Sequence, residues 1–182
     1  MVFRMNAIDS DPSRLETRIT TMPVNMSQFE SEVYLPNVEA GKSMFRDSGF
    51  YLLPSEEKDD LKHITLNRLD ENFSFVDSVH LKFANDSFYH YVGPAMAYNG
   101  KYIVTGTAQN AFGYGFGRTV VFVLNKDLTL HDTLVIKPVR QLIKPVDLAV
   151  NPADGFLYIS MIYDNFHPQD STFLPLDYQR IV

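Results

Sequence analysis

Three glycines, Gly49, Gly100 and Gly155, each lie in a turn between two apolar runs, and they are 51 and 55 residues apart. A recurrence of that length means one supersecondary unit used several times, and it limits the fold more than any other feature. The clearest copy is Gly93–Ile136, GPAMAYNGKYIVTGTAQNAFGYGFGRTVVFVLNKDLTLHDTLVI. It reads as four strands, at 95–98, 101–107, 118–124 and 129–136. Asn99-Gly100 joins the first two, because Asn and Gly both accept the positive φ of a type I′ hairpin turn. Asn125-Lys126-Asp127 turns the chain between the last two.

The other segments read as partial copies. Residues 37–45, 50–53, 62–67 and 73–81 form a full unit, with the charged stretch PSEEKDD (54–60) as the loop after its second strand. Residues 145–150 and 156–162 supply a first and second strand around the turn 151–155. Residues 172–181 are a candidate third strand, weakened or placed at an edge by Pro175. At the start, Met5-Asn6-Ala7-Ile8-Asp9 aligns with Leu66-Asn67-Arg68-Leu69-Asp70, and Leu15-Glu16-Thr17 with Val76-Asp77-Ser78. Leu124-Asn125-Lys126-Asp127 and His131-Asp132-Thr133 then match with one residue fewer in the turn. The chain is therefore expected to open on the third and fourth strands of a unit, with linkers at 22–34, 82–92 and 137–144.

Four antiparallel strands repeating at roughly 40–50 residues or slightly more mark a β-propeller blade. The alternative is a generic antiparallel sandwich. The second strands, YLL, YIV and LYIS, are continuous apolar runs, as expected for strands covered on both faces. The expected fold is thus all-β, one domain of about three blades: a half blade at 1–22, blades at 36–81 and 93–136, and a half to three-quarter blade at 145–182. Propellers typically close with 4–8 blades. Two completions follow: a second copy makes a six-bladed ring, or these residues are a fragment of a longer chain that carries the remaining blades.

Two stretches carry a family resemblance. Thr119-Val120-Val121-Phe122-Val123-Leu124-Asn125-Lys126-Asp127-Leu128 and the 147–159 run DLAVNPADGFLYI resemble the repeats of six-bladed TolB-like or NHL-type propellers. The resemblance implies blade architecture and no catalytic motif. Such propellers serve as binding scaffolds, as parts of cell-surface proteins, and sometimes as hydrolases or lyases, and fold alone does not choose among these.

Composition removes several classes. The chain has 182 residues, 45% hydrophobic, enough to bury a core. Net charge is −6 with no basic run, which argues against a nucleic-acid surface. Cys is absent, so there is no disulfide, thiolate metal site or thiol nucleophile. No apolar run approaches the ~18–20 residues of a membrane span. The start MVFRMNAIDSDPS lacks the pattern of a signal peptide, and the compartment stays unassigned. No G-x-S-x-G, H-E-x-x-H or H-x-H occurs, and the G-x-G at 113–115 lacks the spacing of a dinucleotide loop.

Candidate binding residues fall on linkers into first strands and loops after second strands, expected at one end of the unit. Phe112, Tyr114 and Phe116 in AQNAFGYGFG offer rings to stack on a sugar or peptide, against the plainer reading that they pack on a neighbouring blade. Asp86, Tyr89 and His90 in NDSFYHY form a polar and aromatic edge, or an inter-blade connection packing its rings. Asp164 and His167, with Asn165, offer too few oxygen ligands for calcium by themselves. Glu56, Glu57, Asp59 and Asp60 suit a solvated turn better than a cation site. The recurring pairs Glu16-Thr17, Asp77-Ser78 and Asp132-Thr133 suit a structural role, satisfying the next blade's backbone. The five histidines, His63, His80, His90, His131 and His167, show no metal spacing. No catalytic residue, cofactor or metal is assigned. The leading function is a scaffold that binds a protein or glycan, with a second copy or second chain as partner. The alternative is a hydrolase or lyase acting in a central channel.

Overall fold

A computed structural model describes the backbone of residues 2–7, 16–22, 31–36, 39–40, 44–56, 61–85, 87–110, 117–136, 142–151, 153–164 and 178–180. Its strands are β1 (Val2–Ala7), β2 (Glu16–Met22), β3 (Ser31–Pro36), β4 (Glu39–Ala40), β5 (Phe45–Asp47), β6 (Phe50–Glu56), β7 (Ile64–Leu69) and β8 (Phe75–Leu81). They continue as β9 (Phe88–Tyr98), β10 (Lys101–Asn110), β11 (Arg118–Leu124), β12 (Leu130–Ile136), β13 (Leu142–Val150), β14 (Leu157–Asp164) and β15 (Tyr178–Arg180). There is no helix among the described residues. The fold is all-β, and every sheet is antiparallel and built from strands consecutive in the chain. The first sheet is β1-β2-β3, the second β4/β5-β6-β7-β8, the third β9-β10-β11-β12, and the fourth β13-β14-β15.

The expected four-strand unit is present in the second and third sheets. Their hairpins confirm the turn chemistry. Asp47 pairs with Phe50 and Tyr98 with Lys101 across two-residue loops. Ser48 and Gly49 have φ of 51° and 83°, and Asn99 and Gly100 have 46° and 72°, which fits the type I′ twist. The third glycine turn differs. Asn151 N–H bonds Phe156 O at 3.1 Å, and Gly155 N–H bonds Asn151 O at 2.8 Å, closing a longer loop.

Four expectations change. Residues 31–34, expected in a linker, fall within β3, which pairs with β2. Pro54, Ser55 and Glu56, expected in a loop, complete β6. Residues 88–92 belong to β9, and 142–144 to β13. In each case the strand runs on because its neighbour offers a free ladder, which local composition does not reveal. The turn alignment also shifts. Asp70 N–H bonds Ser74 O and Asn125 N–H bonds Thr129 O, both at 2.9 Å. Leu69 therefore corresponds to Leu124, and the two turns have equal length. Both carry a buried apolar residue at positive φ, Phe73 (61°) and Leu128 (66°).

Two irregularities recur. In the last hairpins, the ladder skips Val76 opposite Arg68/Leu69 and His131 opposite Val123/Leu124. These bulges lie on the outer strands β8 and β12 and twist an otherwise open edge away from further pairing. In the first strands, the β9–β10 ladder skips Gly93-Pro94, and the β13–β14 ladder skips Val146 beside Pro145. A bulge leaves a residue outside the ladder, so proline is tolerated there.

The third sheet lies between its neighbours. Tyr102, Val104, Val120, Phe122 and Leu124 face the second sheet, where they meet Leu52, Ile64 and Leu66. Ile103 and Val121 face the fourth sheet and meet Ile159 and Met161. Period-two alternation with both faces apolar explains the unbroken runs YIV and VVFVL. Two glycines let the sheets approach. A Cβ on Gly93 would lie 2.7 Å from Pro145 Cγ and 2.6 Å from Thr105 Oγ1. A Cβ on Gly106 would lie 2.2 Å from Ile64 Cδ1 and 2.8 Å from Tyr91 O.

At the hairpin end, a polar clamp joins the second and third sheets. Lys126 Nζ lies 2.5 Å from Asp47 Oδ2 and 4.4 Å from the Tyr102 ring centroid. Tyr102 Oη donates to the same carboxylate oxygen at 3.0 Å. The Lys126 hydrogen bond holds the Asp47 carboxyl below its ordinary value. Burial, then the Asp47 carboxylate, pushes the Tyr102 hydroxyl up to about 12. Asp47→Ala strands the hydroxyl of a tyrosine that is only 1% exposed. The expected loss is about 1–3 kcal/mol, measured by urea unfolding at neutral pH. Because the folded carboxyl titrates lower than the unfolded one, this contribution is full above about pH 3.9 and disappears as pH falls through the folded value. A loss within error would show that the clamp contributes nothing.

Candidate functional site

The linkers into first strands and the loops after second strands do share one end. Phe88, Tyr89, His90 and Tyr91 pair with Asn110, Gln109, Ala108 and Thr107. His90 N–H donates to Leu61 O at 2.6 Å, tying β9 to the loop before β7. The Glu56 carboxylate accepts the Val92 N–H at 2.6 Å. Glu56 is therefore part of the seam between sheets rather than of a solvated turn, the role its local sequence predicts. Glu57, Asp59 and Asp60 lie outside the described residues.

Of the predicted binding residues, the structure brings Tyr89 and His90 to this end as neighbours on β9, so their side chains point to opposite faces. Tyr89 is 42% exposed and His90 is fully buried. Asp164 ends β14, paired with Leu142, and its side chain lies outside the described residues. Asp86, Phe112, Tyr114, Phe116 and His167 also lie outside them.

His90 takes the second of the two expected roles, packed in the connection between sheets. Its Nε2 accepts the N–H of Phe83 at 2.8 Å. An imidazolium has no acceptor, so this bond requires a neutral ring with the proton on Nδ1. Burial holds the His90 pKa below its ordinary value, and the neighbouring His63 adds to the lowering. His63 and His80 stand edge to face, with ring centroids 4.4 Å apart. Thr65 Oγ1 lies 3.0 Å from His80 Nδ1. Three histidines from three strand neighbourhoods thus cluster at this end, a grouping that linear spacing hides. The signal for one of them is cross-strand. The 70–74 turn alone would set Thr65 opposite Val79; the bulge at Val76 shifts the register by one and brings Thr65 opposite His80. Among the described residues, no group of three or more His, Asp or Glu is placed to hold a metal ion.

The connection from β8 into β9 is shaped by its own backbone. Ala84 takes φ 66°, Ser87 N–H bonds Asn85 Oδ1 at 3.1 Å, and Phe88 N–H bonds Asn85 O at 3.2 Å. Phe83 and Phe88 meet edge to face at 5.8 Å, and the Arg118 guanidinium sits 5.8 Å from the Phe83 centroid.

The recurring acidic pairs are structural, but not in the expected way. Asp77 grips Arg68 of its own sheet through both carboxylate oxygens. It is Arg68 Nη1 that reaches the next sheet, donating to Lys126 O at 3.3 Å. Asp132 faces Val123 instead of an arginine and accepts the Thr133 N–H at 2.7 Å. The side chains of Glu16 and Thr17 lie outside the described residues.

A concavity of about 260 Å³ opens between the third and fourth sheets. Ile103, Val121, Val123, Leu157 and Ile159 line it, and half-exposed Leu134 stands at its rim. Asn99, Lys101 and His131 also reach it, but its lining surface is mainly apolar, which suits packing more than chemistry. Compared with protein-family models and with curated proteins, the chain matches none.

Proposed function

We propose that the chain is a stack of propeller-type blades that serves as a binding scaffold, and that a second copy completes the ring. The single observation behind this reading is the covered third sheet. It buries one face on the second sheet and the other on the fourth, as a blade does between its neighbours. The recurring turns and bulges of the second and third sheets support one unit used repeatedly. A stack of such units leaves an apolar face at each end, and association removes those faces from water. The loop end, with exposed Tyr89 next to buried His90, is the face offered to a protein or glycan.

Mass in solution tests the assembly. Light scattering on the eluting protein should give twice 20.8 kDa, with the folded species lost on dilution together with the dimer. A folded monomer across the whole concentration range would sink the paired ring.

A further inference from the structure

We propose that His90 is an acid-sensitive latch: its neutral ring holds the connection between the second and third sheets closed, and protonation releases it. Three observations meet at this ring. It is fully buried. Its Nε2 is committed as acceptor to the Phe83 N–H at 2.8 Å. Its Nδ1 has no hydrogen-bond partner among the described residues. A second proton on this ring converts Nε2 from acceptor to donor. Two N–H groups then face each other, and the Phe83 bond is lost.

The surroundings make that proton costly. His63 lies close enough to oppose a charge on His90, and His80 packs on His63. Glu56 on β6 is engaged with the Val92 N–H, and Tyr91 stands beside that carboxylate. Tyr89, Lys62 and Lys82 face solvent on the flanking segments. Arg118 lies over Phe83 and adds positive charge on the far side. Among these groups Glu56 alone is acidic, against three cationic side chains and two further imidazoles.

The sign follows from linkage. The opened segment takes up a proton near the ordinary histidine value, about 6.5, and the closed segment takes it up only at lower pH. The latch is therefore fully shut above about pH 6.5 and weakens as pH falls below it. Release frees Phe83 and Phe88 and loosens the β9 start, which carries Tyr89. Only the consequence for partner binding rests on the scaffold reading. The latch itself is tested without any partner, so the two fail separately.

Two measurements on the full chain decide it. Nitrogen-resolved NMR near pH 7.5 should show His90 with its proton on Nδ1 and Nε2 as acceptor. An Nε2-protonated tautomer overturns the proposal. Amide exchange at Phe83, corrected for intrinsic rates, should show opening rise about tenfold between about pH 7.5 and 5.5, against less than about twofold in His90→Gln, whose Oε1 accepts the same N–H and does not titrate. The Phe122 amide is the internal control and should not follow. No rise in the wild type, an equal rise in the variant, or a parallel rise at Phe122 each overturns the latch. Should His90→Gln fail to fold, the tautomer and the Phe83–Phe122 contrast still decide.

Discussion

Phe122→Ala is expected to lower the stability of the fold by about 3–5 kcal/mol. Phe122 is fully buried in β11, on the face that the third sheet turns toward the second, within the cluster that holds Leu52, Leu66, Val104 and Tyr102. Truncation removes the transfer energy of a ring and leaves a cavity between two sheets whose backbones are hydrogen-bonded ladders. Neither sheet can collapse into the gap without breaking pairs, so relaxation recovers little. A domain with about 5–15 kcal/mol of stability loses a large share of it. Urea unfolding should show a lower midpoint with an unchanged slope. Phe75→Ala supplies the contrast, because Phe75 is 63% exposed on the outer strand β8 and its loss should stay within about 0.5 kcal/mol. Equal effects at both positions would contradict the burial pattern.

The second large effect is expected at Gly106. Gly106→Ala should cost about 1–3 kcal/mol by overpacking. The added Cβ meets two obstacles of different kind. Ile64 Cδ1, at 2.2 Å, is the end of a flexible side chain; Tyr91 O, at 2.8 Å, is backbone of the adjoining strand. The first can be removed and the second cannot. Ile64→Val deletes Cδ1 at a cost of about 0.5–1.5 kcal/mol, so the double variant should lose less than the sum of the singles. That shortfall measures the Ile64 share of the clash. Strict additivity would mean that Gly106 is required for the backbone contact alone or not required at all.

Much of this architecture is legible in the order of residues. Asn99-Gly100 and Ser48-Gly49 announce their hairpins because positive φ at two consecutive positions has few solutions. The unbroken runs 102–104 and 120–124 announce sheets covered on both faces. What stays hidden is anything that needs two strands at once. The extension of β6 through Pro54–Glu56 and of β9 back to Phe88 depends on ladders offered by neighbouring strands. The Leu-Asn matches at 66–67 and 124–125 suggest one turn register, whereas the chain aligns Leu69 with Leu124. The Asp77 and Asp132 pairs, 55 residues apart, already hold the right offset. The chemistry of His90 and its place before a first strand put it at the correct end. Its burial and its neighbours His63 and His80 come from three different segments, and no local pattern joins them.

Gly93 and Gly106 lie on opposite faces of the third sheet, near its first strand. Both mark places where a neighbour comes closer than a methyl group would permit. At the hairpin end, from Tyr98 and Ile103 across to Leu134, the same sheet stands apart from the fourth far enough to leave a cavity. The spacing thus widens from the two glycines toward the hairpin end. The missing side chain at these two positions therefore sets how closely the third sheet approaches both neighbours, and any larger residue at either one must push a neighbour back.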